Sequence, residues 1–321
     1  GGLAASAGFV FLNAGKSAEC VASCRVGASG GSASAPTGLE LTGFPGLQAG
    51  DVAVSLSGAS VPVQSVSQAG AGKVAVTLVL PPYAAGALSG EEEEVFVELT
   101  VSGSVVIASV TYVAAPSPVR ALFNSVGSRV DLSFSANTQM VGPADCAALV
   151  APPAPLGAGA SCVWTDNSTL GVTLGPGATI VPGDTMTFLG GGVATADGAS
   201  DAAGAANLTV KAPKAAVEPS ITVDGPNVMG RCDSAVLKAG GASARPLTYT
   251  WGANDNPGLD ALLTAVTGAT AEVPGGSLST GAANQIWVKA RSFLGTESAK
   301  VSHPLTAVAL PPPILSVDLP P

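Results

Sequence analysis

Two neighbouring runs of alternating apolar and polar residues stand out in the C-terminal third of the chain. Ala235, Leu237 and Ala239 fall on one side of the first run, and every second residue from Leu247 to Trp251 falls on one side of the second. A Gly-Gly pair and an Arg-Pro pair break the pattern between them. Alternation with period two, interrupted by turn residues, predicts two half-buried strands joined by a loop. We expect Trp251 to be a core residue between two packed sheets.

The same period recurs along most of the chain, in short runs separated by Gly- and Pro-rich turns. Pro-rich punctuation falls near residues 115 and 213. Short strands at turn-rich intervals are typical of β-sandwiches. The runs that predict strands are 8–13, 39–41, 52–56, 61–63, 73–80, 95–101, 105–112, 119–123, 129–134, 163–174, 185–189, 207–211 and 285–291.

We therefore expect an all-β protein built from three tandem immunoglobulin-like β-sandwich modules. The modules are predicted to cover residues 36–115, 116–212 and 213–310. An N-terminal strand and Gly/Ser segment precede them at 1–35, and a Pro-rich tail follows at 311–321. A length of 321 residues suits two or three domains, and modules of roughly 100 residues fit it.

Charge and hydropathy exclude several classes of partner. Lys plus Arg is 13 against 22 Asp plus Glu, which gives a net charge of −9. A sparse acidic surface argues against nucleic acid and anionic membranes, because both attract basic patches. No apolar run approaches the roughly 20 residues of a membrane helix, so we expect no membrane insertion within this segment. The apolar run 3–12 lacks a basic leader, which favours a piece of a longer protein over a signal peptide.

Two stretches resemble known extracellular modules. Gly230-Arg-Cys232, the strand after it and the heptapeptide from Arg245 to Trp251 resemble the REJ and PKD-type modules of polycystin-like ectodomains, over residues 213–310. The Ala-, Gly-, Pro- and Val-rich composition is similar to that of large green-algal surface proteins. Upstream, Leu-Thr-Gly-Phe at 41–44 and the closing Val-Thr-Tyr-Val-Ala-Ala-Pro at 110–116 resemble an IPT/TIG-type immunoglobulin-like module.

The resemblance implies extracellular β-sandwich modules with no catalytic residues. It places the chain outside the cell or at the cell surface, including a ciliary surface or an extracellular matrix. The partners it implies are other modules of the same long chain or surface assembly, with glycans as a second class. We expect no cofactor and no bound metal.

The five cysteines show no zinc-site spacing, which favours disulfides in an oxidising compartment. Cys146 and Cys162 flank one Pro/Gly/Ala-rich loop and are expected to pair, a bond that would contribute roughly 3 kcal/mol for a loop of about 15 residues. Cys20 and Cys24 are a second candidate pair, although so short a ring is prone to strain. Cys232 has no cysteine where an immunoglobulin-type partner would lie. Its partner is therefore outside this piece, or it is a free buried thiol.

Two sequons and two acidic stretches complete the candidate sites. Asn167 and Asn207 head Asn-x-Ser/Thr sequons and are candidates for glycosylation in a secreted protein. Glu91 to Glu94 could bind a hard cation, but adjacent carboxylates in an extended chain point to alternate faces, so a solvated strand entry is favoured. The 254–258 loop lacks the order of a calcium-binding loop, and a turn is favoured there.

Two short motifs suggest chemistry that their surroundings do not support. Gly15-Lys-Ser17 ends like a phosphate-binding loop, but Val10 stands where the first Gly should be. Gly27-Ala-Ser-Gly-Gly31 matches the G-x-S-x-G nucleophile motif, but it lies in a Gly/Ser/Ala tract without the flanking strand and helix. The chain's one histidine, His303, precedes a proline far from this tract. We therefore expect a protein that is not an enzyme.

Three functions are compatible with these features to different degrees. The favoured one is a structural or adhesive segment whose tandem sandwiches act as spacer and protein–protein interaction surface. The alternative is a carbohydrate- or ligand-binding module attached to a larger secreted protein, and the third is a hydrolase. Sugar binding calls for exposed aromatic platforms, whereas Trp164, Trp251 and Trp287 lie in strand-like runs where core packing is the default.

Overall fold

The first nine strands form two facing sheets, because their alternating apolar residues need a partner surface to cover them. The computed structural model describes residues 16–20, 24–28, 37–44, 46–70, 72–83, 88, 91–151 and 154–309, without the side chains of Glu19, Cys20, Ala49 and Ala154. In chain order the strands are β1 (Ser17–Cys20), β2 (Arg25–Gly27), β3 (Thr37–Thr42), β4 (Val52–Leu56), β5 (Ala59–Val61), β6 (Val63–Gly70), β7 (Lys73–Leu78), β8 (Glu92–Val101) and β9 (Ser104–Val113), with a 3₁₀ turn at Ala49–Asp51.

The order of these strands is that of an immunoglobulin-like sandwich. One sheet runs β1-β3-β7-β6 and the other β2-β9-β8-β4-β5. If β1 is the first strand of an immunoglobulin domain, the first sheet is ABED and the second contains CFG. β1 pairs antiparallel with β3, whereas β2 pairs parallel with the last strand of the sandwich, β9, so each sheet contains a strand that precedes β3.

Part of the segment predicted at 1–35 therefore belongs to this sandwich, since β1 and β2 both lie within it. The strand predicted at 8–13 lies outside the described residues. The core is made mainly of Val and Leu, and one aromatic, Tyr112, is fully buried and donates its hydroxyl to the Pro81 carbonyl at 2.7 Å. Fully buried Val and Leu include Leu39, Leu41, Val74, Val76, Leu78, Val97, Leu99 and Val110.

The second group of strands forms one eight-stranded sheet. Its strands are β10 (Pro118–Phe123), β11 (Arg129–Phe134), β12 (Gly142–Ala144), β13 (Val150–Ala151), β14 (Ser161–Asp166), β15 (Thr169–Thr173), β16 (Thr185–Phe188) and β17 (Ala206–Lys211), in the order β12-β14-β15-β11-β10-β17-β16-β13. A four-residue helix, α1 (Cys146–Leu149), and a 3₁₀ turn, Ala154–Leu156, join them.

The single strand predicted at 163–174 is wrong. The structure divides it into β14 and β15, an antiparallel hairpin. The side chain of Asp166 stabilises the turn between them. Its carboxylate accepts hydrogen bonds from the Ser168 amide at 2.8 Å and from the Ser168 hydroxyl at 2.9 Å. Such an Asx-type turn reverses the chain where apolar periodicity alone suggests that it continues.

The third group again forms two sheets. Its strands are β18 (Ser220–Asp224), β19 (Val228–Gly230), β20 (Ala235–Ala242), β21 (Thr248–Ala253), β22 (Thr270–Val273), β23 (Ala283–Arg291) and β24 (Val301–Val308), with helix α2 at Pro257–Leu263. The sheets run β18-β20-β22 and β19-β24-β23-β21. As in the first sandwich, an early strand, β19, pairs parallel with the last one, β24. The protein is thus all-β, with tandem immunoglobulin-like sandwiches.

Within the described ranges, no strand crosses residues 114–117 or 212–219. Contacts along the chain define two compact units. The first contains the opening sandwich and most of the eight-stranded sheet, and the second contains the third sandwich together with Leu122–Val130 and Thr179–Asp184. Neither helix of the described part is long and apolar enough to cross a bilayer.

Candidate functional site

The predicted pairing of Cys146 with Cys162 is confirmed. The two sulfurs are bonded, and the Cα atoms lie 5.1 Å apart. Cys146 opens α1, where the Asp145 carboxylate accepts a hydrogen bond from the Ala147 amide, and Cys162 lies in β14. The bond therefore ties the first residue of α1 to the beginning of β14, across a sequence separation of 16 residues.

The other three cysteines differ from this pair. Cys24 is disulfide-bonded, whereas the side chain of Cys20 lies outside the described residues, so their mutual pairing stays a prediction. Cys232 carries a free thiol that is exposed to solvent. The hypothesis of a buried free thiol is thus wrong, because Cys232 lies in the turn before β20 and not on its inward face.

Both sequon asparagines are exposed. Asn167 lies in the β14–β15 turn, where its backbone carbonyl accepts a hydrogen bond from the Thr138 amide and its side chain is left to solvent. Asn207 lies on the outward side of β17, and its side-chain oxygen accepts a hydrogen bond from the Thr187 hydroxyl at 2.7 Å. Glycosylation at either position stays a prediction.

Trp251 has no exposed surface and lies among the apolar residues of the third sandwich. Its indole N–H donates to the Gly268 carbonyl at 2.8 Å. This hydrogen bond replaces the bond to water that the indole nitrogen loses on burial. Thr248 and Thr250, which alternate with it, are exposed. The alternation in the sequence therefore reports the direction of each side chain in β21.

The glutamates at 91–94 lie at the start of β8 and alternate between its faces. Glu92 and Glu94 are exposed, whereas Glu93 is half-buried. Glu93 accepts a hydrogen bond from the Tyr83 hydroxyl, which raises the pKa of that phenol. Within 16–309, apart from the gaps in that range, no three His, Cys, Asp or Glu side chains are grouped as metal ligands would be.

Glu92 belongs to an ion-pair cluster that joins the first sandwich to the eight-stranded sheet. Arg25, on β2, donates through Nη1 to Glu92 at 2.9 Å and through Nη2 to the other oxygen of the same carboxylate. Its Nε donates to Asp197 at 2.6 Å, in the segment between β16 and β17. A guanidinium holds both carboxylates because its donors form a rigid planar fork.

The contacts around Arg25 favour the charged forms of Arg25 and Asp197. Hydrogen bonds, above all from Arg25 to Glu92, raise the pKa of the guanidinium. Partial burial works against ionisation of Asp197, but hydrogen bonds from Thr195, Ala199 and Arg25 outweigh it, and the pKa of Asp197 is lowered. Asp197 is therefore held as an anion.

The backbone also approaches closely at this junction. A Cβ atom added to Gly27, on β2, would lie 2.6 Å from the backbone nitrogen of Asp201, so only glycine fits there. Beside the ion pairs lies a cleft of about 560 Å³, lined by Arg25, Glu92, Asp197, Phe134, Asn137 and Thr195, among others. The cleft has a polar lining. It lies where the first sandwich meets the eight-stranded sheet, within one compact unit.

The expectation that all three tryptophans are core residues is wrong for Trp287, which lies on the outer face of the sheet β19-β24-β23-β21. Trp164 and Trp251 are buried, but Trp287 is half-exposed on the side of β23 opposite Ile286 and Val288. Its ring lies over Gly252, where an added Cβ would be 2.4 Å from the ring. The Lys300 ammonium lies 4.2 Å from the ring centroid. The indole is thus held between a glycine backbone and a cation.

Two strands of this outer face carry hydroxyls opposite cations. In the β21–β23 register Thr248 lies opposite Arg291, and Thr250 lies opposite Lys289. Glu297 reaches Lys289 with an N–O distance of 3.7 Å. Together with Trp287 these side chains line a cleft of about 480 Å³. We call this surface the Thr/Lys/Arg face: Thr248, Thr250, Trp287, Lys289, Arg291 and Glu297.

The loop at 254–258 is part of a helix start and not a simple turn. The Asn256 side chain accepts a hydrogen bond from the Leu259 amide at 3.1 Å, and Pro257 occupies the first turn of α2. Asn followed by Pro is a helix-start signal. The sequence therefore carries a signal for the start of this helix, although a helix of seven residues is too short to show a helical period of apolar residues.

Sequence reasoning missed both clefts, for different reasons. The Arg25 junction joins residues as far apart as 172 positions, and no local pattern reports such a pairing. The Thr/Lys/Arg face did leave a signal, because Thr248 and Thr250 alternate with buried residues in one strand, as do Lys289 and Arg291 in another. Only the strand pairing places the two rows side by side.

Comparisons with known proteins give no family assignment. No protein-family profile matches the chain, and no curated protein matches it. Among solved structures it is similar to a three-domain fragment of titin, I67–I69, with 9% identity, a TM-score of 0.32 and coverage of 92% of this chain and 99% of that one. The ectodomain of mouse nectin-like molecule 4, Ig1–Ig3, gives 12% identity, a TM-score of 0.27 and coverage of 85% and 94%.

Drosophila N-cadherin EC1–3 gives 9% identity and a TM-score of 0.23, with 80% of this chain and 89% of that chain covered. Identities and TM-scores this low give no basis for transferring a function. The immunoglobulin-like fold rests on the strand orders and registers of the protein itself.

Proposed function

We propose that this chain is a non-enzymatic structural and adhesive segment of a large extracellular or cell-surface glycoprotein. Its tandem sandwiches act as a spacer and present surfaces to other protein modules. The resemblance to REJ, PKD and IPT/TIG-type modules supports an ectodomain of the green-algal type, at a ciliary surface or in an extracellular matrix. The Cys146–Cys162 disulfide supports an oxidising compartment.

One observation carries the proposal: Arg25 joins two sheets that the linker at 114–117 would otherwise leave free to swing. A spacer has to hold its modules at fixed angles, and relative motion of domains is the default where little contact joins them. Each partly exposed ion pair contributes about 0.2–1 kcal/mol. The close approach of Gly27 to Asp201 adds shape complementarity to these charges.

Removing the Arg25 side chain tests this role. We expect Arg25→Ala to broaden the distance distribution between spin labels at Ser60, in the first sandwich, and Thr173, in the eight-stranded sheet, measured in a Cys232→Ser background. The matched control is Arg120→Ala, which removes an arginine that donates to Ser133 at 3.3 Å within one sheet. If the distribution after Arg25→Ala is as narrow as that of the control, the ion pairs do not fix the junction and the proposed spacer role is wrong.

A further inference from the structure

The Thr/Lys/Arg face concentrates positive charge on an acidic protein. The whole chain has a net charge of −9. Lys289, Arg291 and the neighbouring Lys300 lie on the outer side of one sheet, and the Glu297 carboxylate reaches Lys289. Lys300 is engaged by Trp287 and by the Asn254 side chain, its ammonium lying 3.0 Å from the amide oxygen. Lys289 and Arg291 remain exposed enough to meet a ligand.

We infer that this face binds an acidic polysaccharide, one whose sugar rings carry carboxylate or sulfate groups. The two cations are alternate residues of β23 and lie about 7 Å apart along the strand. That spacing suits a ligand with repeated anionic groups better than a single small anion. The inference goes beyond the proposed spacer role and does not depend on the Arg25 junction.

The rest of the cleft fits a sugar. The hydroxyls of Thr248 and Thr250 lie opposite the two cations and can donate to or accept from sugar hydroxyls. Thr267, also in the lining, adds a third hydroxyl. The half-buried indole of Trp287 adds apolar edge atoms to the lining, since Gly252 and Lys300 cover its faces. Anionic groups, hydroxyls and an apolar ring surface are together the chemistry of an acidic saccharide.

An acidic peptide fits less well. Peptides that bind to sheets commonly add a strand to a free edge, where backbone groups supply the affinity. β21 lies at the end of its sheet, but its Tyr249 amide already donates to the Thr267 carbonyl at 3.2 Å. The face therefore offers side-chain groups for binding in place of free backbone groups, and side-chain groups suit a polyhydroxylated ligand.

Glu297 makes the inference testable by a gain of binding as well as by a loss. Its carboxylate lies on the cleft and competes with an anionic ligand for Lys289. Glu297→Gln removes this competitor and keeps the side chain's size. We expect it to strengthen binding by about 1.4-fold to fivefold, the range of one exposed ion pair.

Binding of the full chain to four polymers, measured by calorimetry at low and physiological salt, tests the inference. We expect polygalacturonate or dextran sulfate to bind, and neutral dextran not to bind. The double variant Lys289→Ala/Arg291→Ala should weaken binding by about twofold to thirtyfold. Lys238→Ala, which removes a cation from the other sheet of the same sandwich, should leave it unchanged. Each variant is first checked for an unchanged Tm.

Three results would overturn the inference. Failure of both acidic polysaccharides to bind at low salt would remove the site, since screening is weakest there. Equal binding by the parent and the double variant would place the ligand elsewhere. Equal binding of poly-glutamate would show that the face recognises charge and not an acidic sugar. A difference between polygalacturonate and dextran sulfate would identify which anionic group the face prefers.

Discussion

At the scale of single residues, two tryptophans on neighbouring strands differ because they point in opposite directions. Trp251 is fully enclosed and hydrogen-bonded to Gly268, whereas Trp287 lies half-exposed over Gly252. Truncating a buried Trp to Ala costs about 3–5 kcal/mol because it leaves a cavity. We therefore expect Trp251→Ala to lower the free energy of unfolding of the third sandwich by that amount, measured by denaturant titration followed by circular dichroism.

Trp287→Ala is the matched control for this prediction. It removes the same side chain from the adjacent strand, but that side chain is partly exposed already and the Lys300 contact is worth about 0.5–1 kcal/mol at an exposed site. The loss should therefore be clearly smaller than that of Trp251→Ala. Equal losses for the two variants would mean that the interior position of Trp251 contributes no more than a surface contact.

At the scale of elements, the Cys146–Cys162 bond joins α1 and the loop after it to β14. A disulfide that closes a loop of 16 residues stabilises the folded state by roughly 3 kcal/mol, because it lowers the conformational entropy of the unfolded chain. We expect Cys146→Ser/Cys162→Ser to destabilise the eight-stranded sheet by about that amount in thermal unfolding. Cys232→Ser, which removes an exposed free thiol, should leave the Tm unchanged. Peptide mapping of the unreduced protein that found Cys146 and Cys162 as free thiols would contradict the pairing.

At the scale of the whole molecule, the junction held by Arg25 should depend on pH on the acid side. The folded-state pKa of Asp197 is lowered, so its contribution is complete above the unfolded value of about 4 and is lost as pH falls through the folded value. The pKa of Arg25 is raised, so its charge persists throughout this range. We expect the Ser60–Thr173 distance distribution to broaden below about pH 4.

The control for the pH experiment is Asp197→Asn, which keeps the shape of the side chain and removes its titration. This variant should show a broader distribution at neutral pH and a smaller further change on acidification. If it responds to acid as strongly as the parent, groups other than Asp197 control the junction.

The sequence by itself determined the direction of most side chains and, through them, the class of fold. In β20 and β21 the inward residues Ala235, Leu237 and Trp251 are those that period two predicts, because successive side chains of a strand point to opposite faces. The disulfide was also predictable, since its two cysteines flank one short loop. The hairpin at Asp166 and the helix at Asn256 required side-chain turn and capping signals, and the apolar period alone concealed both.

Only the tertiary structure decided what lies next to what. The pairing of β21 with β23 sets Thr248 beside Arg291, 43 residues along the chain, and Arg25 meets Asp197 across 172 residues. Periodicity gives each strand its buried side, but many strand orders bury the same residues equally well. The choice among them depends on register, turn geometry and close approaches such as that at Gly27, which are properties of the assembled sheets. Both candidate surfaces arise at this level, because each is formed by residues from separate strands.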